Sequence, residues 1–346
     1  MNENNRRIEW VDTAKFIGIL SIMAMHSEAR TKPLDLLTSP YFLNIFYFTS
    51  GYVYRYREGF SEFIKKKART LLIPWLVFGL FIVLSSHVFS FNEHGDLLTE
   101  LKWFFLQIRN RDDHMWFLPT LFLAFIPFYF FAKNWDCRPK TLWLPFALSL
   151  VSTCLSYYAP NDIFPWNVKD MPVALPWHIE LVFPAMFFMA LGYVFRLQLE
   201  KEFDERNTPR NRCLLYALYL VSLAVMIAIW DKIGIGLSVV ALYVRSFLGT
   251  AAVIALSKTV KTNRFISYVG SNTIIFYALN GKAESLLQVI LKRVVGDTYE
   301  VLLADTVLSS LFAVVLALLT AALLLIPALI INRWFPFVLG KPKRRD

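Results

Sequence analysis

The sequence predicts an all-α membrane protein, a bundle of about ten transmembrane helices with both termini in the cytoplasm. Its 346 residues are 56% hydrophobic and only 18% charged, with a mean hydropathy of +0.47. This composition is too apolar for a water-soluble globule. Apolar stretches long enough to cross a hydrocarbon core of roughly 30 Å recur along the whole chain. Lys and Arg gather in alternate connections between them, as expected for a multi-pass protein.

The apolar stretches follow one another without a second domain, so we expect a single domain over residues 1–346 with a basic tail from about 332. The first stretch does not end in small residues suited to cleavage and is expected to stay as a membrane helix. The ninth is the weakest, because Asn280, Lys282 and Glu284 interrupt it. The tenth is nearly pure Leu, Ala, Val and Ile. The predicted spans are 12–29, 41–57, 71–90, 115–132, 141–158, 174–195, 213–230, 234–257, 268–291 and 304–331.

The distribution of basic residues orients these spans. With the N-terminus inside, 24 Lys and Arg residues lie in cytoplasmic segments and nine in outer loops. Cytoplasmic loops of membrane proteins carry such an excess, so the pattern supports ten crossings. The net charge of +10 is then a consequence of topology and needs no nucleic-acid partner. Three scattered cysteines offer neither a disulfide framework nor a metal site.

Three ionisable residues share one stripe of the first span: Asp12, Lys15 and His26. Eleven helical residues make close to three turns, so Lys15 and His26 point the same way about 16 Å apart. Packing explains a lone membrane histidine about as well as function does, and a lone lysine near a span's end commonly snorkels to the surface. Asp12 and Lys15 are also placed to neutralise each other. Together they form a candidate site, because ionisable residues at membrane depth are usually functional.

Two further segments combine small and basic residues. Thr49, Ser50 and Gly51 in the second span are small enough to bring two helices into contact. The loop after it is the most basic of the chain and contains Lys65, Lys66, Lys67 and Arg69. Such a cluster is commonly an orientation signal or a contact with anionic lipids. It also suits the phosphates of a nucleotide-like donor.

The order of several short motifs resembles the acyltransferase-3 family, in particular its branch of fucose 4-O-acetylase-like and other glycan O-acetyltransferases. The likeness covers nearly the whole chain. The motifs are Arg7-Ile-Glu-Trp-Val-Asp12-Thr-Ala-Lys15-Phe-Ile-Gly18, His26, Phe46-Tyr-Phe-Thr-Ser-Gly51-Tyr, Arg69-Thr-Leu-Leu-Ile-Pro74-Trp, Met115-Trp116-Phe117-Leu118-Pro119-Thr-Leu-Phe and Phe187-Phe-Met-Ala-Leu-Gly192-Tyr.

This resemblance implies transfer of an acyl group, usually acetyl from acetyl-CoA, to a sugar hydroxyl of a surface glycan or its lipid-linked precursor. It implies a multi-pass protein of the bacterial cytoplasmic (inner) membrane, with acetyl-CoA as co-substrate and no permanently bound cofactor. The family's basic-residue-x10-His signature falls on Lys15 and His26, and a basic residue of its third helix falls on Arg69. Family members often carry a late histidine where this chain has Asn280.

The residues agree with that chemistry. A neutral imidazole can accept the proton of a sugar hydroxyl as the hydroxyl attacks a thioester, which makes His26 the candidate general base. Lys15, Arg69, Lys66 and Lys67 are the candidates for binding the donor's phosphates at the cytoplasmic mouth. If Lys15 marks that end of the span, we expect His26 to lie buried near the bilayer middle.

Candidates for acceptor binding are Trp116, Glu180, Arg245 and Asn280. Trp116 is also typical of an interfacial tryptophan, and Arg245 could have a purely structural partner. We expect His178, two residues before Glu180, to face differently on a helix and form no dyad with it. The main alternative function is a transporter or flippase of a glycan precursor, and a membrane sensor or scaffold would need no buried histidine.

Overall fold

The protein is almost entirely helical. The computed structural model describes residues 8–56, 59–89, 96–109, 111, 114–134, 138–160, 162–167, 172–229 and 234–341. Of the described residues, 82% are helical, and none forms a β-strand. The last five residues of the predicted basic tail lie outside the described residues.

Seventeen α-helices follow one another along the described part of the chain. They are α1 (Glu9–Met25), α2 (Lys32–Thr38), α3 (Asn44–Tyr52), α4 (Phe60–Lys67), α5 (Ile73–Phe89), α6 (Leu97–Leu106), α7 (Phe117–Asn134), α8 (Trp143–Tyr158), α9 (Val182–Val194), α10 (Glu200–Arg206), α11 (Pro209–Ile229), α12 (Ile235–Ser257), α13 (Arg264–Ser271), α14 (Thr273–Val295), α15 (Thr298–Ala304), α16 (Thr306–Leu323) and α17 (Leu325–Trp334).

Six continuous helices of the described chain are long and apolar enough to cross a membrane. Each of the ten predicted spans coincides with a helix, but the count of ten is not confirmed. Helices α1 and α8 have 17 and 16 residues, about 25 Å of helix, which is shorter than a hydrocarbon core of roughly 30 Å. Helix α3 has nine residues, which is about 14 Å of helix and half of a hydrocarbon core. The six helices are Phe60–His87, Pro176–Arg206, Pro209–Ile229, Gly236–Ser257, Thr273–Val295 and Thr306–Trp334.

The chain divides into two compact units. One comprises Met1–Thr49 and Lys201–Ile330, and the other comprises Ser50–Glu200 and Ile331–Asp346. We call them the first and the second unit. The prediction of a single domain stays a prediction.

Helix α1 is the centre of the first unit, where it packs against α12, α13, α14 and α16. Glycines allow its closest contacts. A Cβ atom on Gly270 of α13 would lie 2.0 Å from the Asp12 carbonyl oxygen, and one on Gly18 would lie 2.7 Å from Ile45 Cγ2. The predicted close approach at Gly18 is therefore present, made with α3.

Helix α9 is the corresponding centre of the second unit, packed against α7 and α8. A Cβ on Gly51 would lie 1.8 Å from the carbonyl oxygen of Met189 in α9. The prediction that the small residues around Gly51 bring two helices together is confirmed within this unit.

The basic cluster of the second unit lies on a helix, so the prediction of a loop was wrong. The helix begins at Phe60, and Lys65, Lys66 and Lys67 form the last turn of α4. It continues through a π-helical turn, Ala68–Leu72, into α5. Apolar contacts explain the early start, because Phe63 is buried against α7 and orients this turn.

Candidate functional site

His26 lies directly after α1, as its C-terminal cap, and its side chain is exposed. The expectation of a buried histidine inside the helix was therefore wrong. The helix ends at Met25. The His26 N–H nevertheless donates to the Ile22 carbonyl at 3.1 Å. Eleven residues of helical rise still separate Lys15, half-buried in α1, from His26. Asp12, one turn before Lys15, is buried.

The segment after His26 is held by side chains of three later helices. The Glu28 N–H donates to Oε1 of Glu284 in α14 at 3.3 Å. The Glu28 carboxylate accepts from Lys292 Nζ at 3.0 Å and from the Tyr299 hydroxyl of α15 at 3.3 Å. In α16, Ser309 Oγ donates to the Ala29 carbonyl at 2.9 Å. This backbone is thus anchored within five residues of His26.

Tyr299 remains a hydrogen-bond donor to Glu28 over the physiological pH range. Burial and the neighbouring negative charge of Glu28 raise the pKa of the Tyr299 hydroxyl to about 12. Its proton therefore stays in place near neutral pH.

Helix α2, which follows the His26 segment, is anchored at its C-terminal end. Arg245 Nη2 of α12 donates to the Leu36 carbonyl, and the Tyr219 hydroxyl of α11 donates to the Leu37 carbonyl. These carbonyls belong to the last turn of α2, where cations and donors are favourable. Arg245 is 6% exposed and forms no ion pair with a described residue. This contact gives Arg245 a structural role, because it holds the end of α2. Its predicted role in binding the acceptor sugar stays a prediction.

Asn280 and Glu284 lie one turn apart on α14, and both are buried. Asn280 Oδ1 has no hydrogen-bond partner among the described residues. Sequence reasoning selected Asn280 but overlooked Glu284 as a functional candidate. The available signal was an acidic residue inside an apolar span, which requires a partner.

The predicted donor-binding residues of the second unit differ in their surroundings. Arg69 is exposed and lies in the π-helical turn, a distortion that is frequent at functional sites. Lys66 is exposed. The Lys67 ammonium lies 3.7 Å from the centroid of the Phe125 ring, so a cation–π contact orients it.

A buried polar cluster in the second unit surrounds Glu180. Its Oε1 lies 3.2 Å from Arg109 Nη2 and 3.5 Å from His178 Nδ1, and its Oε2 accepts from the Leu175 N–H at 3.0 Å. The His178 ring stacks on Trp116 with the ring centroids 4.5 Å apart. The structure thus brings together the predicted residues Trp116 and Glu180.

The expectation that His178 and Glu180 face apart was wrong because the local backbone is not an α-helix. Residues Pro176–Leu181 form a 3-10 segment, and α9 begins only at Val182. Within it, Trp177 and His178 have φ angles of 56° and 49°, in the left-handed region. The remaining positive-φ residues that are not glycine in the described chain, Gln107 and Met115, lie in the same unit. Such strained backbone concentrates at functional sites.

The described residues contain no group of three or more His, Cys, Asp or Glu side chains placed to hold a metal ion. The polar clusters around His26 and Glu180 instead offer hydrogen-bonding and proton-transfer groups.

The long apolar helices and buried ionisable groups define a multi-pass helical membrane protein. A family model described as an acyltransferase domain matches residues 8–329, and the chain therefore belongs to the acyltransferase-3 family. No curated protein and no solved structure matches the chain significantly. Membership makes it a membrane acyltransferase.

Proposed function

We propose that the protein is a membrane O-acetyltransferase of the fucose 4-O-acetylase-like branch. It moves an acetyl group from acetyl-CoA to a hydroxyl of a cell-surface glycan or its lipid-linked precursor, at the bacterial inner membrane. The observation that carries the proposal is the arrangement of α1 in an acyltransferase-3 chain. Lys15 lies inside the helix, and an exposed histidine follows at its end on an anchored segment.

In the proposed reaction, His26 acts as the general base. Its neutral imidazole accepts the hydroxyl proton while the hydroxyl oxygen attacks the thioester carbonyl. The carbon–sulfur bond then breaks, and the CoA thiolate leaves and takes up a proton. Exposure of His26 supports this role, since a base must reach a substrate proton within about 3 Å.

In this proposal the donor's pyrophosphate is bound by basic residues. Lys15 provides a cation on α1, the helix that ends directly before His26, with Asp12 one turn before it to orient it. Arg69 and Lys66 contribute exposed positive charge, while Lys67 contributes less because its ammonium lies over Phe125. Guanidinium and ammonium groups are the usual partners of phosphates.

The acceptor sugar is proposed to bind near Trp116 and Glu180, with Arg245 and Asn280 as further candidates. Indole rings stack on the apolar faces of sugars, and carboxylates accept hydrogen bonds from their hydroxyls. The left-handed backbone at Trp177 and His178 supports a functional role for this cluster.

Membranes that contain the protein, incubated with radiolabelled acetyl-CoA, test the proposal. We expect alkali-labile label in the glycan fraction, since an O-acetyl ester is cleaved by mild base. Membranes with His26→Ala protein at the same abundance serve as the control. If glycan export depends on the protein but no label is transferred, the result would instead support a transporter or flippase.

A further inference from the structure

A cleft of the first unit lies at the N-terminal end of α1, apart from every residue assigned above. It has a volume of about 390 Å³ and is lined by Trp10, Asp204, Asn207, Arg212, Lys258 and Thr259. This volume lies within the range of small-molecule sites. Its residues lie in α1, in α10 and the connection after it, in the first turn of α11, and directly after α12.

The lining combines an aromatic ring with two cations. Lys258 Nζ lies 5.0 Å from the centroid of the Trp10 ring and 2.9 Å from Asp204 Oδ1. Arg212 Nη1 donates to the Asn207 carbonyl at 2.7 Å. Because a guanidinium carries five N–H donors, this single bond leaves Arg212 with capacity for a ligand.

These groups suit a purine nucleotide. Its base stacks on an indole ring, its phosphates accept from guanidinium and ammonium groups, and its ribose hydroxyls and exocyclic amine bond to Asn, Thr and Asp side chains. The neighbouring connections add positive charge. Residues 201–212 and 258–264 together contain seven Lys and Arg and three Asp and Glu.

The charge pattern of the sequence predicts these connections on the cytoplasmic side, where a soluble nucleotide donor is available. Trp10 also lies on the helix that leads to His26. It precedes Lys15 by five residues, about 7.5 Å of helical rise, and Lys15 precedes His26 by about 16 Å.

We propose that this cleft binds the adenosine 3′-phosphate end of acetyl-CoA and that the pyrophosphate extends from it to Lys15, an inference that rests on the proposed function. The phosphopantetheine arm then extends along α1 past Lys15. About twelve bonds separate its phosphate oxygen from its sulfur, which is roughly 14 Å when extended. With the pyrophosphate near Lys15, this length covers most of the rise of about 16 Å from Lys15 to His26. The thioester then reaches the histidine while the adenine stays at Trp10, about 7.5 Å of rise before Lys15.

A comparison of two acetyl donors tests the cleft in the full-length purified protein. Acetyl-pantetheine carries the thioester but lacks the nucleotide. Loss of one base stack weakens binding roughly 5- to 150-fold, and loss of a hydrogen bond to a charged phosphate weakens it by a similar factor. We therefore expect Trp10→Leu and Arg212→Gln to raise the KM for acetyl-CoA about tenfold. Their kcat and their KM for acetyl-pantetheine stay unchanged.

Arg206→Gln is the matched control. It removes the same charge from the neighbouring α10, but Arg206 does not line the cleft and instead pairs with Glu202 at 2.7 Å. We expect native KM values for both donors. Trp10→Phe retains an aromatic face and is expected to restore most of the acetyl-CoA affinity.

Equilibrium binding of adenosine 3′,5′-bisphosphate gives a readout without turnover, and we expect it to weaken about tenfold in Trp10→Leu and Arg212→Gln protein. Transfer by the unaltered protein with equal KM values in these variants would overturn the cleft and leave the proposed function standing. An equal rise for both donors would also overturn it, since it would indicate a general defect. No transfer from acetyl-CoA by the unaltered protein would overturn the proposed function and the inference together.

Discussion

Single side chains determine where His26 is presented. The His26 N–H still bonds back into α1, but the position of its side chain also depends on contacts of the residues that follow. Glu284 supplies one of them by accepting from the Glu28 N–H, and Ser309 supplies another at the Ala29 carbonyl. These residues position the proposed base without being required to touch a substrate.

Glu284→Ala is predicted to lower kcat ten- to a hundredfold while the KM for acetyl-CoA changes little. The substitution leaves the Glu28 N–H without its acceptor, which costs about 1–3 kcal/mol and allows the His26 segment to shift. Steady-state kinetics of the purified protein measure both constants. Glu284→Gln keeps an acceptor oxygen and should retain most of the activity. An Ala variant with native kcat would exclude the positioning role.

Glycine contacts set the spacing between elements. Gly270→Ala is predicted to destabilise the protein by about 1–3 kcal/mol, because the new methyl group would lie 2.0 Å from the backbone oxygen of Asp12 and would push α13 away from α1. Thermal unfolding in detergent measures the change as a lower Tm.

Gly281→Ala is the control for that substitution. Gly281 also lies in a helix of the first unit, but no atom lies within 4 Å of its added Cβ. Here alanine should leave the Tm unchanged or raise it, since it favours the helix by up to about 1 kcal/mol. Equal Tm values for the two variants would show that the α1–α13 contact does not limit stability.

The apolar pattern of the sequence predicts where helices lie but not where each one ends. Each hydrophobic stretch coincides with a helix, because burial in lipid requires long apolar runs, whereas the count of ten crossings stays a prediction. Hydropathy does not register the turn that ends α1 before His26 or the left-handed backbone at Trp177 and His178. Both depend on tertiary contacts, and they explain why the exposure of His26 and the proximity of His178 to Glu180 were predicted wrongly.

Contacts between residues that are distant in the sequence could not be predicted from the sequence either. Lys15, His26, Trp116 and Glu180 were identifiable as polar groups in or beside apolar stretches. The hydrogen bond from the Glu28 N–H to the Glu284 carboxylate joins positions 256 residues apart, and no local sequence pattern indicates it. The candidate residues could therefore be chosen from the sequence, whereas their partners required the fold.

For the whole molecule, the distribution of charge predicts how the helices are oriented in the membrane. The excess of Lys and Arg in alternate connections predicts that residues 138–141 and 258–264 face the cytoplasm and that the connections around Asp162 and Asp297 face outward. The predicted orientation would put the proposed nucleotide cleft on the cytoplasmic side, where acetyl-CoA is made.

Single cysteines in an otherwise cysteine-free protein test this topology. We expect a membrane-impermeant maleimide added to intact cells to label Asp162→Cys and Asp297→Cys, but to label Lys140→Cys and Lys261→Cys only after lysis. All four side chains are exposed, so burial does not limit labelling. Outside labelling of Lys261→Cys would place the cleft on the wrong side for acetyl-CoA.

The proposed acetyl transfer depends on His26 as its general base. Its most direct test is the rate at which purified protein transfers labelled acetyl from acetyl-CoA to its glycan acceptor, compared between the unaltered chain and His26→Ala. General base catalysis contributes about 10²- to 10⁴-fold to a rate. We therefore expect the His26→Ala protein to transfer acetyl at least about a hundredfold more slowly, with an unchanged Tm. Transfer by the His26→Ala protein at the native rate would contradict it.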